Sequence, residues 1–177
     1  MEKKLETKEI FQGRIIKVTL DKVELENGVK TTREIVHHGG SVAMLVYDKP
    51  KDEMYFVKQY RYAVGENLLE IPAGTLENGE DPEKAVEREL AEEIKKKAGK
   101  ISFLGKYYQS PGFITECMHL YLCTDLEEAY EESDYDEEIE VVKMKSGEFK
   151  KMIEEKKVSD GKSVLAFLLW QESKDTF

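Results

Sequence analysis

Apolar and polar residues change places in short runs through residues 1–38, the two-residue rhythm of strands with one covered face. The run Ile15 to Val23 reads as a strand, Asn27-Gly28 as a tight turn, and Thr31 to Val36 as the strand that follows it. This part is expected to form a small antiparallel sheet, and Gly39-Gly40 punctuates its end. Ser41 to Tyr47 and Met54 to Gln59 read as two core strands around the turn Lys49-Pro50-Lys51-Asp52. Asn67 to Ile71 is a further short strand, ended by Pro72-Ala73-Gly74.

The rhythm then changes. Asp81 is a good N-cap and Pro82 suits a first helical position, while Ala85, Val86, Leu90 and Ile94 recur at the spacing of one helical face. Ile101 to Tyr108 and Met118 to Thr124 read as strands on either side of Ser110-Pro111-Gly112, and Glu140 to Met144 as a last strand. Leu126 to Glu138 is acidic with little to bury, so a loop or irregular helix is expected there. Gly147 to Lys156 and Gly161 to Glu172 read as two closing helices, the second carrying Val164, Leu165, Phe167, Leu168 and Trp170. Strands and helices in this order imply an α+β fold in layers.

The chain has 177 residues, 40% of them hydrophobic, which suffices for one domain with its own core. Charged residues make up 36% and the formal net charge is -10, which disfavours nucleic acid as a partner. No apolar run approaches the roughly 20 residues needed to span a bilayer, so no membrane partner is expected. Met1-Glu2-Lys3-Lys4 leads into no signal-peptide core. Cys117 and Cys123 make no disulfide framework, and a cytoplasmic location is expected. Lysines dominate the cations; the arginines are Arg14, Arg33, Arg61 and Arg88, and arginine is the better clamp for phosphate or carboxylate.

On the predicted helix, Glu89, Glu92 and Glu93 lie at i, i+3 and i+4 and so project from one face. Crowded carboxylates repel unless cations intervene, and oxygen-only ligands favour hard ions such as Mg²⁺ or Mn²⁺. The same spacing also describes a solvated face, since Glu92–Lys96 and Glu93–Lys97 have the favourable i,i+4 orientation. Spacing leaves both readings open.

The longer segment Gly74, Glu80, Arg88-Glu89-Leu90-Ala91-Glu92-Glu93-Ile94 resembles the Nudix box of the Nudix hydrolases. That pattern is Gly, five residues, Glu, seven residues, then Arg-Glu-apolar-x-Glu-Glu-x-Gly-apolar, and seven of its fixed positions are met before the last pair. The last pair departs, with Lys95 and Lys96 in place of glycine and an apolar residue. Lysine lacks glycine's easy access to positive φ, so the helix is expected to run on towards Ala98-Gly99. Val57-Lys58-Gln59-Tyr60-Arg61-Tyr62, Glu70-Ile71-Pro72-Ala73-Gly74 and Ser110-Pro111-Gly112-Phe113 extend the resemblance to the ADP-ribose pyrophosphatase group.

The resemblance implies an α/β/α sandwich around a mixed sheet at residues 39–177. It also implies an N-terminal antiparallel sheet at residues 1–38 that is exchanged between two subunits of a homodimer. It implies metal ligation by Glu89, Glu93 and the Ala73 carbonyl, with Glu92 a ligand or water-bridged partner, and an orienting role for Arg88. Gly74 would permit the close turn of the loop. Arg61 would bind the diphosphate, Glu70 would face the site, and Pro111 and Gly112 would border the substrate. Arg61 and Glu70 can equally be an exposed charge and a sheet-edge acid. The general base is expected from the acidic run before the last strand, with Glu137 first and Glu138 second. The activity implied is Mg²⁺-dependent hydrolysis of ADP-ribose, or of another substrate such as GDP-mannose, NADH or FAD. An inactive nucleotide-sensing domain is the remaining alternative.

Overall fold

The computed structural model describes residues 1–129 and 138–173. The chain divides into two units, one comprising residues 1–41 with 106–118 and the other residues 42–105 with 119 onward.

The first unit is built on a three-stranded antiparallel sheet in the order β1 (Lys3–Gln12), β2 (Lys17–Glu24), β3 (Lys30–His37). The β2–β3 hairpin turns at Asn27-Gly28 as expected, with Gly28 at φ 78° and its N–H donating to the Leu25 carbonyl. β1 was not anticipated by the hydrophobic pattern, because every one of its residues is exposed. Backbone pairing and cross-strand ion pairs define it instead: Lys22 reaches Glu6 and Lys17 reaches Glu9, each at 2.7 Å. The Ser110–Phe113 turn belongs to the same unit. The Val36 N–H donates to the Phe113 carbonyl at 2.7 Å, and the Thr115 N–H to the Val36 carbonyl at 2.9 Å.

The second unit is centred on a mixed seven-stranded sheet. Its main path runs β10 (Ile139–Lys145), β5 (Glu53–Arg61), β4 (Ser41–Asp48), β9 (Cys117–Glu128), β8 (Lys96–Tyr108), with β6 (Glu66–Glu70) on β5 and β7 (Ala73–Thr75) on β4. Alternation along β4 and β5 sorts the core into two layers. Val42, Met44, Val46, Tyr55 and Val57 pack with Ala85, Val86, Leu90 and Ile94 of α1 (Pro82–Ile94), and Cys123 joins this cluster. On the opposite face Phe56 meets Phe149 of α2 (Ser146–Glu154), and Tyr47 meets Trp170 of α3 (Gly161–Glu172). This is the expected α/β/α sandwich. Burying each Val, Leu or Ile of the α1 stripe is worth about 1.5–3 kcal/mol. Burial also raises the Cys123 thiol to about 12, so it remains protonated at neutral pH.

Boundaries depart furthest from the sequence reading around β8 and β9. β9 continues to Glu128, so the start of the acidic run is strand rather than loop. β8 begins at Lys96, and only Lys95 separates it from α1.

Candidate active site

α1 begins as its sequence dictates. Asp81 Oδ1 accepts the Glu83 N–H at 2.9 Å, Pro82 occupies the first helical position, and Glu83 adds negative charge to the positive end of the dipole. Burial of Val86 and Leu90 then fixes the rotation of the helix. Glu89 and Glu93, at the border of that apolar stripe, are only 8% and 9% exposed, whereas Glu92 is half-buried. The solvated-face alternative therefore fails for Glu89 and Glu93. Buried carboxylates need partners, and each has a place in a network.

Glu93 Oε2 accepts the Ala73 N–H at 3.1 Å, tying the helix to the β6–β7 loop where it enters β7. Met44 N–H donates to the Pro72 carbonyl at 2.9 Å, so β4 holds the same loop from the sheet side. Gly74 is required by space: a Cβ at this position would lie 1.8 Å from Glu89 Oε1 and 1.9 Å from its carboxyl carbon. The Glu89 carboxylate occupies the volume that a side chain at position 74 would fill. The demand arises from this close approach and not from positive φ.

Arg88 gathers the other acids. Its Nε and Nη2 engage the two oxygens of Glu80 at 3.1 Å each, and Nη1 reaches Glu89 Oε1 at 2.6 Å and Glu92 Oε2 at 3.0 Å. Nη2 also donates to the Thr75 carbonyl at 3.3 Å. The Glu80 hydrogen bonds raise the Arg88 pKa despite partial desolvation, and those to Arg88 lower that of Glu80. Glu80 holds the loop as well, because its Oε2 accepts the Glu77 N–H at 2.9 Å. Arg88 thus has the orienting geometry that the resemblance implies, with Glu80 as its bidentate partner.

Arg61 of β5 and Glu70 of β6 meet through their side chains, although the cross-strand partner of Arg61 is Glu66. Arg61 Nε and Nη2 donate to Glu70 Oε1 and Oε2 at 2.7 and 3.0 Å. Glu70 is 2% exposed, so it is no sheet-edge acid. Burial works to raise its pKa, but the Arg61 hydrogen bond and the charge of Lys162 outweigh it and hold Glu70 below the usual carboxylate range. Lys162 Nζ contacts Glu70 Oε2 and bonds Asp160 Oδ1 at 3.1 Å. Lys162, Asp160 and Ser163 were missed by sequence reasoning. Asp160-Gly161-Lys162-Ser163 carries a recognisable N-cap signal, but nothing local reveals a lysine folding back onto a carboxylate 92 positions earlier.

The helix exit corrects another expectation. α1 stops at Ile94, and Lys95 itself takes the left-handed cap at φ 56°, ψ 42°. Its N–H donates to the Leu90 carbonyl, its carbonyl accepts the Ala129 N–H at 3.1 Å, and its Nζ donates to the Glu92 carbonyl at 2.9 Å. These bonds offset the roughly 1 kcal/mol that a non-glycine residue loses in this region. Lys95→Gly is expected to stabilise the protein by about 0.5 kcal/mol, a rise of ~1–2 °C in Tm by calorimetry. A fall in Tm would show that the lysine contacts outweigh the strain.

Among the described residues, no three acidic, histidine or cysteine side chains form a ready-made metal cage. The reason is visible in Arg88 Nη1, which takes one oxygen each from Glu89 and Glu92. The donor set nevertheless suits a hard divalent cation. It is all oxygen, two of its carboxylates are buried, and the Gly74 cradle leaves room for one of them beside the backbone. Pro111 and Gly112 lie in the first unit, on the turn closed by the Phe113 N–H donating to the Ser110 carbonyl at 3.1 Å. Glu137 lies outside the described residues, and Glu138 is exposed just before β10.

Residues 37–166 match the NUDIX domain model, and residues 2–36 match the nucleoside diphosphate sugar hydrolase N-terminal domain. The chain is 40% identical over 168 residues to the ADP-ribose pyrophosphatase of Bacillus subtilis (strain 168), covering 93% of this chain and 90% of that protein. It is 38% identical over 176 residues to the methanol dehydrogenase activator of Bacillus methanolicus, covering 97% and 95%. Its fold matches the crystal structure of an ADP compounds hydrolase with a TM-score of 0.86, over 98% of this chain and 95% of that one, at 22% identity.

Proposed function

The chain belongs to the Nudix hydrolase family, and from that membership we propose that it hydrolyses the diphosphate of ADP-ribose to AMP and ribose 5-phosphate. The observation that carries the substrate is the 40% identity, across nearly the full length, with an ADP-ribose pyrophosphatase. The cofactor in this reading is Mg²⁺, with Mn²⁺ as a substitute, held by Glu89, Glu93 and the Ala73 carbonyl with Glu92 beside them. When bound, such an ion acidifies water and neutralises charge on phosphoryl oxygens. Arg88 orients Glu89 and Glu92, and it keeps its positive charge at any pH the protein survives. Arg61 is already oriented by Glu70 and offers a planar donor to a diphosphate oxygen. Glu137 takes the proton of the attacking water, and Glu138 is the alternative base.

The reading extends to a cytoplasmic homodimer formed through residues 1–38. Two free cysteines suit a reducing compartment, and the exposed Leu5, Ile10 and Phe11 of β1 suit a covering partner. Incubation with Mg²⁺ and ADP-ribose, GDP-mannose, NADH or FAD, with chromatographic analysis of products, tests the substrate. ADP-ribose should be hydrolysed fastest, to AMP and ribose 5-phosphate, and far faster turnover of GDP-mannose, to GMP and mannose 1-phosphate, would overturn the assignment.

A further inference from the structure

The first turn of α3 is tied to the candidate site at two points, and neither tie follows from the box motif. Asp160 caps the helix, its Oδ2 accepting the Ser163 N–H at 3.1 Å and also the Ser163 hydroxyl. With its proton given to Asp160, the Ser163 oxygen is left as an acceptor, and it takes the Ile71 N–H at 2.7 Å in a fully buried setting. Ile71 is two residues before Ala73, on the loop that Met44 and Glu93 hold from the other sides. Ser163 therefore supplies a third support of that loop. Lys162, next in the same turn, engages Glu70, the carboxylate that grips Arg61 through both oxygens. Two cations on one buried carboxylate hold it ionised, and an ionised Glu70 keeps the Arg61 fork in one orientation.

We propose that Ser163 and Lys162 are positioning residues, Ser163 setting the Ala73 backbone for the divalent cation and Lys162 setting Arg61 for the diphosphate through Glu70. Neither touches substrate or metal in this assignment. It rests on the metal and substrate reading above and adds a division of labour that can be read separately.

Ser163→Ala removes the acceptor for the Ile71 N–H and the hydroxyl's own bond to Asp160, keeps the backbone N–H that Asp160 caps, and leaves Arg61 and Glu70 intact. Mn²⁺ binding to the substrate-free protein, followed by electron paramagnetic resonance, should weaken at least fivefold. KM for ADP-ribose at saturating metal should stay within twofold, and Ser163→Thr should restore Mn²⁺ binding. Lys162→Met should do the reverse, raising KM about tenfold at saturating metal and leaving Mn²⁺ binding within twofold, with Lys162→Arg recovering most of the loss. If Ser163→Ala does not fold, Ser163→Cys, which keeps a weak acceptor of similar size, takes its place with the same expected weakening.

A loss of Tm in these variants with unchanged Mn²⁺ affinity and KM would overturn the proposal and leave α3 as packing alone. Equal effects of both variants on both quantities would also overturn it. Wild-type protein that binds no Mn²⁺ would instead bring down the metal reading, and this inference with it. Wild-type binding with unaffected variants removes only the inference.

Discussion

Glu93→Gln is expected to lower kcat/KM for ADP-ribose by at least ~10³-fold, about 4 kcal/mol of transition-state stabilisation. The substitution preserves volume, and the amide oxygen can still accept the Ala73 N–H that Glu93 Oε2 takes at 3.1 Å. What it removes is one negative charge from a site crowded with Glu89, Glu92 and Glu80, the charge that would hold a divalent cation. Folding should therefore be affected little, by less than about 1 kcal/mol, since a neutral amide in a partly buried site costs no ion desolvation. Urea titration followed by circular dichroism, alongside turnover at several Mg²⁺ concentrations, separates the two effects. Activity within tenfold of wild type would remove Glu93 from the metal site.

Gly74→Ala should lose at least ~10²-fold in activity with a much smaller loss of stability. The new Cβ would fall on the Glu89 carboxylate, and the carboxylate is the far end of a side chain with rotamers to spare. The fold can therefore yield by moving Glu89, at a cost on the order of 1 kcal/mol, but the metal site cannot, because a displacement of about 1 Å in a reacting constellation costs roughly two orders of magnitude. Arg88 would also lose its 2.6 Å contact with Glu89. Gly147→Ala is the control: no atom lies near the added methyl and its φ is ordinary, so activity and Tm should stay at wild-type values. A stability loss in Gly74→Ala several times larger than about 1 kcal/mol, with Gly147→Ala unchanged, would mean that position 74 is a backbone requirement rather than a cradle for Glu89.

Much of the candidate site's local arrangement was legible because it is short-range. The i, i+3, i+4 glutamates, the Asp81-Pro82 start and the spacing from Gly74 to Glu80 are all short-range patterns, and they lie on one helix and the loop that leads into it. The partners of Glu70 were not legible, since Lys162 comes to it from α3 and its sequence neighbours signal only a helix start. β1 escaped for the opposite reason: a strand with no buried face carries no hydrophobic alternation, and its ladder and ion pairs appear only once β2 is beside it. The expected overrun of α1 rested on glycine's advantage at positive φ. Lysine tolerates that region at a strain of only about 1 kcal/mol, and two backbone bonds and one ammonium bond hold it there.

Lys95 also determines how the site can move. A connector of one residue, bonded at its amide, its carbonyl and its ammonium, has no slack and little torsional freedom. The helix bearing Glu89, Glu92 and Glu93 is therefore spliced to β8 as one lever, and it cannot swing or slide toward a bound diphosphate without dragging the sheet. Adjustment to a ligand on this side is left to side-chain rotation. Lengthening the splice by a single glycine would uncouple helix from sheet, giving the carboxylates freedom that a preorganised charge site gains nothing from.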